Sequence, residues 1–212
     1  MIVVSQPDAT ALLDYGEAYL SALVTGSPHP APPEIHLLDL DYGLFATLRG
    51  REGALRGCIG EFAGAGGLGI LIPRVIRDAA LADPRFEPVG PGELGEITLS
   101  LSLLSPIEPV SSYTEIELGR HGLLFTLGGR RALFLPEVAG EQAWDLVTTL
   151  EMLTRKAGAP RGSWRSGQAR FGVFETVRIS RRDSSRCAGV LVEPSGHRLS
   201  GCAETWEEQR DE

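Results

Sequence analysis

The sequence predicts an α+β fold with a largely antiparallel sheet. Apolar residues recur at helical spacing near 8–24, 71–82 and 141–157, several segments between them alternate at period two, and the two kinds do not take turns as βαβ units would. With 212 residues and 42% apolar content the chain can bury a core without disulfide or metal staples, as one domain or one domain with a smaller lobe.

From Asp8 to Val24, residues Leu12, Leu13, Gly16, Tyr19, Leu20, Leu23 and Val24 share one helical face, and Gly26 ends the segment. Four prolines between Ser27 and Pro33 make a connector, since each fixes φ and lacks a backbone donor. Tyr42 to Gly50 reads as a strand with Leu44, Ala46 and Leu48 on one side. Leu55 to Ile59 is its hairpin partner through Gly50 to Gly53, which places Cys58 near a strand end. The run Gly64 to Gly69 is a loop; it has neither the Gly-Lys-Ser/Thr ending of a phosphate-binding loop nor the register of a dinucleotide fold.

A second helix spans Leu71 to Ala82, with Ile72, Val75, Ile76, Ala79 and Ala80 on its core face and Asp83 and Pro84 as its stop. In the strand from Glu93 to Ser105, Ile97, Leu99, Leu101 and Leu103 alternate with Thr98, Ser100 and Ser102, so one face is core and the other lightly polar. Leu123 to Leu127 and Arg131 to Leu135 form a hairpin through Gly128 and Gly129. Glu141 to Ala157 is a third helix striped by Trp144, Val147, Leu150, Met152 and Leu153. A last strand, Phe171 to Ile179, is apolar on one side except at Glu175. Residues 1–180 are thus expected to form the domain, and 181–212, basic at first and acidic at its end, a tail with little core material that is poorly ordered.

The net charge of −8 disfavours general attraction to nucleic-acid phosphates or anionic lipid. No stretch approaches the roughly 18 apolar residues of a membrane span, and Met1 to Val4 is too short for a signal peptide, so a cytoplasmic location is expected. Cys58, Cys187 and Cys202 are far apart and make no Cys-x-x-Cys pair, and no two histidines have metal-ligand spacing, so free thiols and no metal site are expected.

Cys58 is the sharpest chemical candidate. It follows Arg56 and Gly57 and precedes Gly60; a guanidinium nearby favours the thiolate, and flanking glycines let a ligand approach the backbone. The competing reading is a small hydrophobe packed in a strand, with the glycines marking a bulge. His121, in the turn Gly119 to Gly122, is placed to exchange protons near neutral pH or to hold the turn together. Arg85 either binds an anion or pairs with a carboxylate, while Asp83 bonds backbone donors and Phe86 returns to the core. Glu141 and Asp145 suit the start of a helix and Lys156 its end, and Trp144 is either core or a ligand platform.

Taken together, the segments resemble the AMMECR domain family, protein A of the AmmeMemoRadiSam system. The carriers are Leu55-Arg56-Gly57-Cys58-Ile59-Gly60, Asp83 to Phe86, Ser102 to Pro106, Gly119 to Gly122, Leu135 to Ala139 with Gln142 and Trp144, Lys156 to Gly158, and Trp164. The likeness covers roughly residues 8–180 and leaves the tail without a counterpart. It implies an α+β fold with a larger and a smaller lobe and the cysteine box near a cleft. The likeness leaves the activity unsettled; the cysteine box between glycines and its expected cleft suggest a site with Cys58 and His121 as catalytic residues and Arg56, Gly57, Gly60, Arg85, Glu141 and Trp144 around the substrate. It also implies a Memo-like protein and a radical SAM protein as partners; the chain lacks the ligands of either metal centre, so such cofactors belong to them. The sequence is thus compatible with a cysteine-dependent enzyme or with a non-catalytic adaptor for those partners. A regulatory RNA-binding role fits the acidic balance less well.

Overall fold

The structure is a computed structural model that describes residues 3–62, 66–181 and 190–194. Gly64 and Ala65 of the glycine run, and Cys187, His197 and Cys202 of the tail, lie outside the described residues. The chain forms two compact units, one built mainly from residues 3–104 and 177–193 and one mainly from 105–176.

The larger unit opens with helix α1, Gln6–Thr25, capped by the Ser5 side chain at its start and by a left-handed Gly26 at its end. The hairpin follows as strands β1, Gly43–Arg49, and β2, Leu55–Glu61, then helix α2, Leu68–Leu81, and strand β3, Thr98–Leu104. β1 pairs antiparallel with both β2 and β3. One face of the sheet carries Leu44, Ala46, Leu48, Leu99, Leu101 and Leu103, all 2% exposed or less. α2 packs against β1 and β2, and α1 against α2 and β3. The helical spacing thus does what the sequence implies: Leu71, Ile72, Val75, Ile76, Ala79 and Ala80 are buried together. α2 starts three residues before the expected position and runs through Pro73, whose missing donor the helix tolerates in its second turn.

The second face of β3 is lightly polar, as its serines imply, and it is buried as well. Ser100 and Ser102 are 6% exposed and Leu104 1%, and β3 is an interior strand of its sheet. Ile97 precedes the strand instead of belonging to it. Strands β8, Thr176–Arg181, and β9, Val190–Pro194, complete the order β2-β1-β3-β8-β9. β9 lies in the segment read as a tail and had no signal strong enough to mark it. At the end of β8, Arg181 pairs with Asp14 at 2.5 Å and with Glu17, which ties the sheet to α1.

The smaller unit holds β4, Glu108–Val110, β5, Gly122–Leu127, β6, Arg130–Phe134, and β7, Arg170–Phe174, in the order β4-β7-β5-β6. All three pairings are antiparallel. β5 and β6 turn through Gly128 and Gly129, both with positive φ, as a two-residue hairpin requires. Helices α3, Glu137–Glu141, and α4, Leu146–Lys156, replace the single helix expected from Glu141. The break falls at Ala143, whose φ is 52°, and Asp145 restarts the helix by accepting the Thr148 amide at 2.7 Å. Leu150, Leu153, Phe125 and Trp164 form the core, while Val147 is exposed. The strand read as Phe171–Ile179 is likewise two strands in two sheets. Between them Glu175 bonds Ser105 through its carbonyl and its amide, each at 3.0 Å, at the points where the chain enters and leaves this unit.

Gly57 limits how closely α2 meets the sheet. A Cβ there would lie 2.1 Å from the Ala79 carbonyl oxygen, so helix and strand touch backbone to backbone. Gly57→Ala should therefore cost about 3 kcal/mol or more by denaturant titration, whereas Gly95→Ala, which faces open space, should stay within about 0.5 kcal/mol. Equal midpoints for the two variants would refute the close contact.

Candidate functional site

β2 is the edge strand of the larger sheet, so every second residue turns a peptide N–H and C=O away from β1. Cys58 is such a residue. It is the fourth of seven in β2, hence mid-strand and not near the strand end, because Ile59–Glu61 go on pairing with Ala46–Leu44. Opposite it stands Thr47, and the Thr47 Oγ1 and Cys58 Sγ atoms are 3.4 Å apart. The thiol is half-buried.

The outward peptide groups of Cys58 are met by the turn after α2. Its amide donates to Asp83 Oδ2 at 2.9 Å, and its carbonyl accepts from Arg85 Nη2 at 3.2 Å. Arg85 also grips the same carboxylate twice, Nε to Oδ1 at 2.9 Å and Nη2 to Oδ2 at 2.7 Å. The Asp83 side chain is 2% exposed. Burial alone would raise its pKa, but the hydrogen bonds from Arg85 and from the Cys58 and Arg85 amides outweigh it and hold the carboxyl below its usual range. Arg85 is thus a carboxylate partner, the second of its two sequence readings. Phe86 does not return to the core; half-buried, it lies 5.5 Å from the Arg85 guanidinium and 6.0 Å from that of Arg56.

Arg56 does not turn its charge onto the thiol as expected. The register shifts at Leu48/Arg49, leaving Arg56 as the extra residue of a bulge, and its fork closes on Glu93, Nε to Oε2 at 2.7 Å and Nη2 to Oε1 at 3.0 Å. That fork, with the Gly90 amide at 2.8 Å, holds the Glu93 carboxyl below its usual range. Arg56 Nη1 is buried without an acceptor among the described residues. The glycines do not open the backbone to a ligand: Gly57 faces Ala79, and Gly60 lies under the Phe45 ring, where a Cβ would be 2.2 Å from it.

The other candidates belong to the smaller unit. The Nδ1 atom of His121 accepts the Glu117 amide at 3.1 Å while the His121 amide donates to the Glu117 carbonyl at 2.9 Å, so the side chain holds its own turn together. Glu141 ends α3 half-buried, and the Trp144 ring lies 5.8 Å from Phe134. Lys156 is not simply a complement to a helix end. It donates to the Leu133 carbonyl at 3.1 Å, lies 5.0 Å above Phe134, and burial lowers its pKa to about 8. Sequence reasoning missed Thr47 and Glu93, which no local pattern joins to Cys58 and Arg56. Among the described residues no three His, Cys, Asp or Glu side chains are placed to hold a metal ion, and no helix is long and apolar enough to cross a membrane.

Because its folded pKa is depressed, the contribution of Asp83 is complete above the unfolded carboxyl value of about 3.9 and disappears as pH falls through the lower folded value. Asp83→Asn should cost about 3 kcal/mol at pH 7, and this gap should narrow below about pH 4. Urea melts of both proteins at pH 7 and pH 3 test it; a constant gap rules the ion pair out as the cause.

A sequence profile of the AMMECR1 family matches residues 14–179. The chain is 34% identical over 167 residues to Protein MK0488 of Methanopyrus kandleri, covering 75% of this chain and 81% of that one. It is 30% identical over 195 residues to Protein Ta0236 of Thermoplasma acidophilum, covering 86% and 95%. An uncharacterised protein of Schizosaccharomyces pombe is 39% identical over 139 residues, 64% of this chain and 71% of the other. The crystal structure of uncharacterised protein PH0010 from Pyrococcus horikoshii superposes with a TM-score of 0.75 at 27% identity, covering 90% of this chain and 98% of that one. The Cys58 strand, the Asp83–Arg85 turn that holds it and the His121 turn all fall within the matched residues, and the chain belongs to the AMMECR1 family.

Proposed function

We propose that this chain is an enzyme whose chemistry centres on Cys58. The observation that carries the reading is that a half-buried thiol is held in place through its own peptide: Asp83 takes the amide, Arg85 takes the carbonyl, and Thr47 stands 3.4 Å from the sulfur. Rigid support of this kind is what a nucleophile or a thiol acid/base needs, since a reacting group must be fixed to within a fraction of an ångström. Cys58 is the reacting group and Arg85 a positioning residue. Arg56, two residues away along the strand, offers the buried Nη1 donor to a substrate oxygen. The chain works with a Memo-like protein and a radical SAM protein, which bring the metal centres, in the cytoplasm.

A second reading is a non-catalytic adaptor for the same partners. It draws on the fact that both guanidinium forks are already closed, Arg56 on Glu93 and Arg85 on Asp83. Under it, association with the partners survives Cys58→Ala.

The deciding measurement is iodoacetamide alkylation of the folded protein as a function of pH, mapped by mass spectrometry with Cys187 and Cys202 as references. The enzyme reading expects Cys58 to react with an apparent pKa below the ordinary thiol value of about 8.5, and Arg85→Met to slow it several-fold. A Cys58 that reacts only after unfolding removes the enzyme reading and leaves the adaptor.

A further inference from the structure

Of the 20 basic side chains in this sequence, 19 are arginine and one, Lys156, is lysine. Arginine could make each of the contacts described for position 156. It complements the end of a helix, donates to a backbone carbonyl, and stacks on an aromatic ring better than an ammonium does. The chain elsewhere uses arginine for such tasks: Arg130 caps the Gly158 carbonyl and Arg165 lies 3.9 Å over the Trp164 ring. What arginine cannot do is release a proton near neutral pH and use the freed lone pair to form a bond.

We infer that Lys156 is a reactive amine, a site where an aldehyde- or ketone-bearing ligand is held as an imine. The geometry supports this in three ways. The Nζ atom sits at the end of α4 against β6, where the Leu133 carbonyl 3.1 Å away accepts one of its hydrogens and aims it. The Phe134 ring lies 5.0 Å from Nζ and gives the amine an aromatic neighbour, itself backed by Trp144 at 5.8 Å from that ring. Burial opposes the ammonium form, and a value of about 8 leaves roughly a tenth of the population as neutral amine at pH 7. The ionisable side chains on the surrounding elements are Arg130 and Arg131 on β6, Glu137 and Glu141 on α3, and Glu151 and Arg155 on α4.

The step is a condensation without redox change. The nitrogen lone pair attacks the carbonyl carbon and the C–N bond forms. The two amine hydrogens leave with the carbonyl oxygen as water, and C=N remains; hydrolysis reverses each event.

A chain with one lysine makes the test direct. The folded protein is incubated at pH 7.5 with glyoxylate and cyanoborohydride, which reduces any imine to a stable carboxymethyl amine, with N-acetyl-lysine in the same tube as competitor. Peptide mapping separates Lys156 from the chain's α-amino group. We expect Lys156 to be trapped at least about tenfold faster than the competitor amine, the direction its lower proton affinity requires. Lys156→Arg should lose the adduct and keep the melting temperature within a few degrees, and Lys156→Met controls for charge. Trapping no faster than the competitor, or only after unfolding in urea, overturns the inference.

Discussion

The peptide of Cys58 lies at the exposed edge of a sheet, where its N–H and C=O have no neighbouring strand. An unsatisfied buried peptide group costs about 1–3 kcal/mol, and an open edge also invites pairing with other chains. Here a carboxylate and a guanidinium take the places of a strand's carbonyl and amide, with Asp83 on the N–H and Arg85 on the C=O. Because Asp83 and Arg85 also bond each other, the pair reaches β2 as one rigid block. Much else follows from that block. It stands just past the end of α2, the helix whose Ala79 meets Gly57 backbone to backbone. It also stands beside the Arg56 bulge, whose guanidinium shares the Phe86 ring with Arg85 and closes on Glu93.

The smaller sheet meets the same difficulty at its own edge strand, β6. There the outward carbonyl of Leu133 is taken by Lys156 from α4, and the Arg130 guanidinium turns to the Gly158 carbonyl just after that helix. The two edges differ in electrostatics. At β2 the covering charges neutralise each other within 3 Å, so the pair is a fixture across the neutral pH range. At β6 the covering group is an amine whose titration burial lowers to about 8.

Much of this arrangement is legible along the chain wherever the signal depends on near neighbours. Leu44, Ala46 and Leu48 alternate, Leu71 to Ala80 repeat at helical spacing, and Gly128-Gly129 names its own turn, so those elements stand where the sequence puts them. The misses share a physical cause. Nothing in Gln142-Ala143-Trp144 demands a break, since no glycine or proline is present, and only the Asp145 cap on Thr148 marks the restart of the helix. The apolar alternation of 171–179 is continuous although its two halves belong to different sheets; the one residue out of pattern, Glu175, is the crossing point. At the candidate site the residue types were readable but their partners were not. Asp83 lies 25 positions from Cys58 and Glu93 lies 37 from Arg56, separations at which only the folded chain brings them together.

The guanidinium groups beside the candidate residues are engaged in architecture. Arg56 closes on Glu93, Arg85 on Asp83, Arg120 on Glu117 and Glu175, and Arg181 on Asp14 and Glu17. An always-charged, forked side chain is suited to such bonds because it neither titrates nor rearranges under ordinary conditions. That division of labour gives meaning to the residues that are not arginine. The thiol of Cys58 and the amine of Lys156 carry lone pairs that a guanidinium does not offer, and each is set beside an edge strand by contacts to its own backbone or to its neighbour's. A fold that assigns its holding work to arginine and keeps a single lysine in a half-buried place has separated the groups that position from the groups that react.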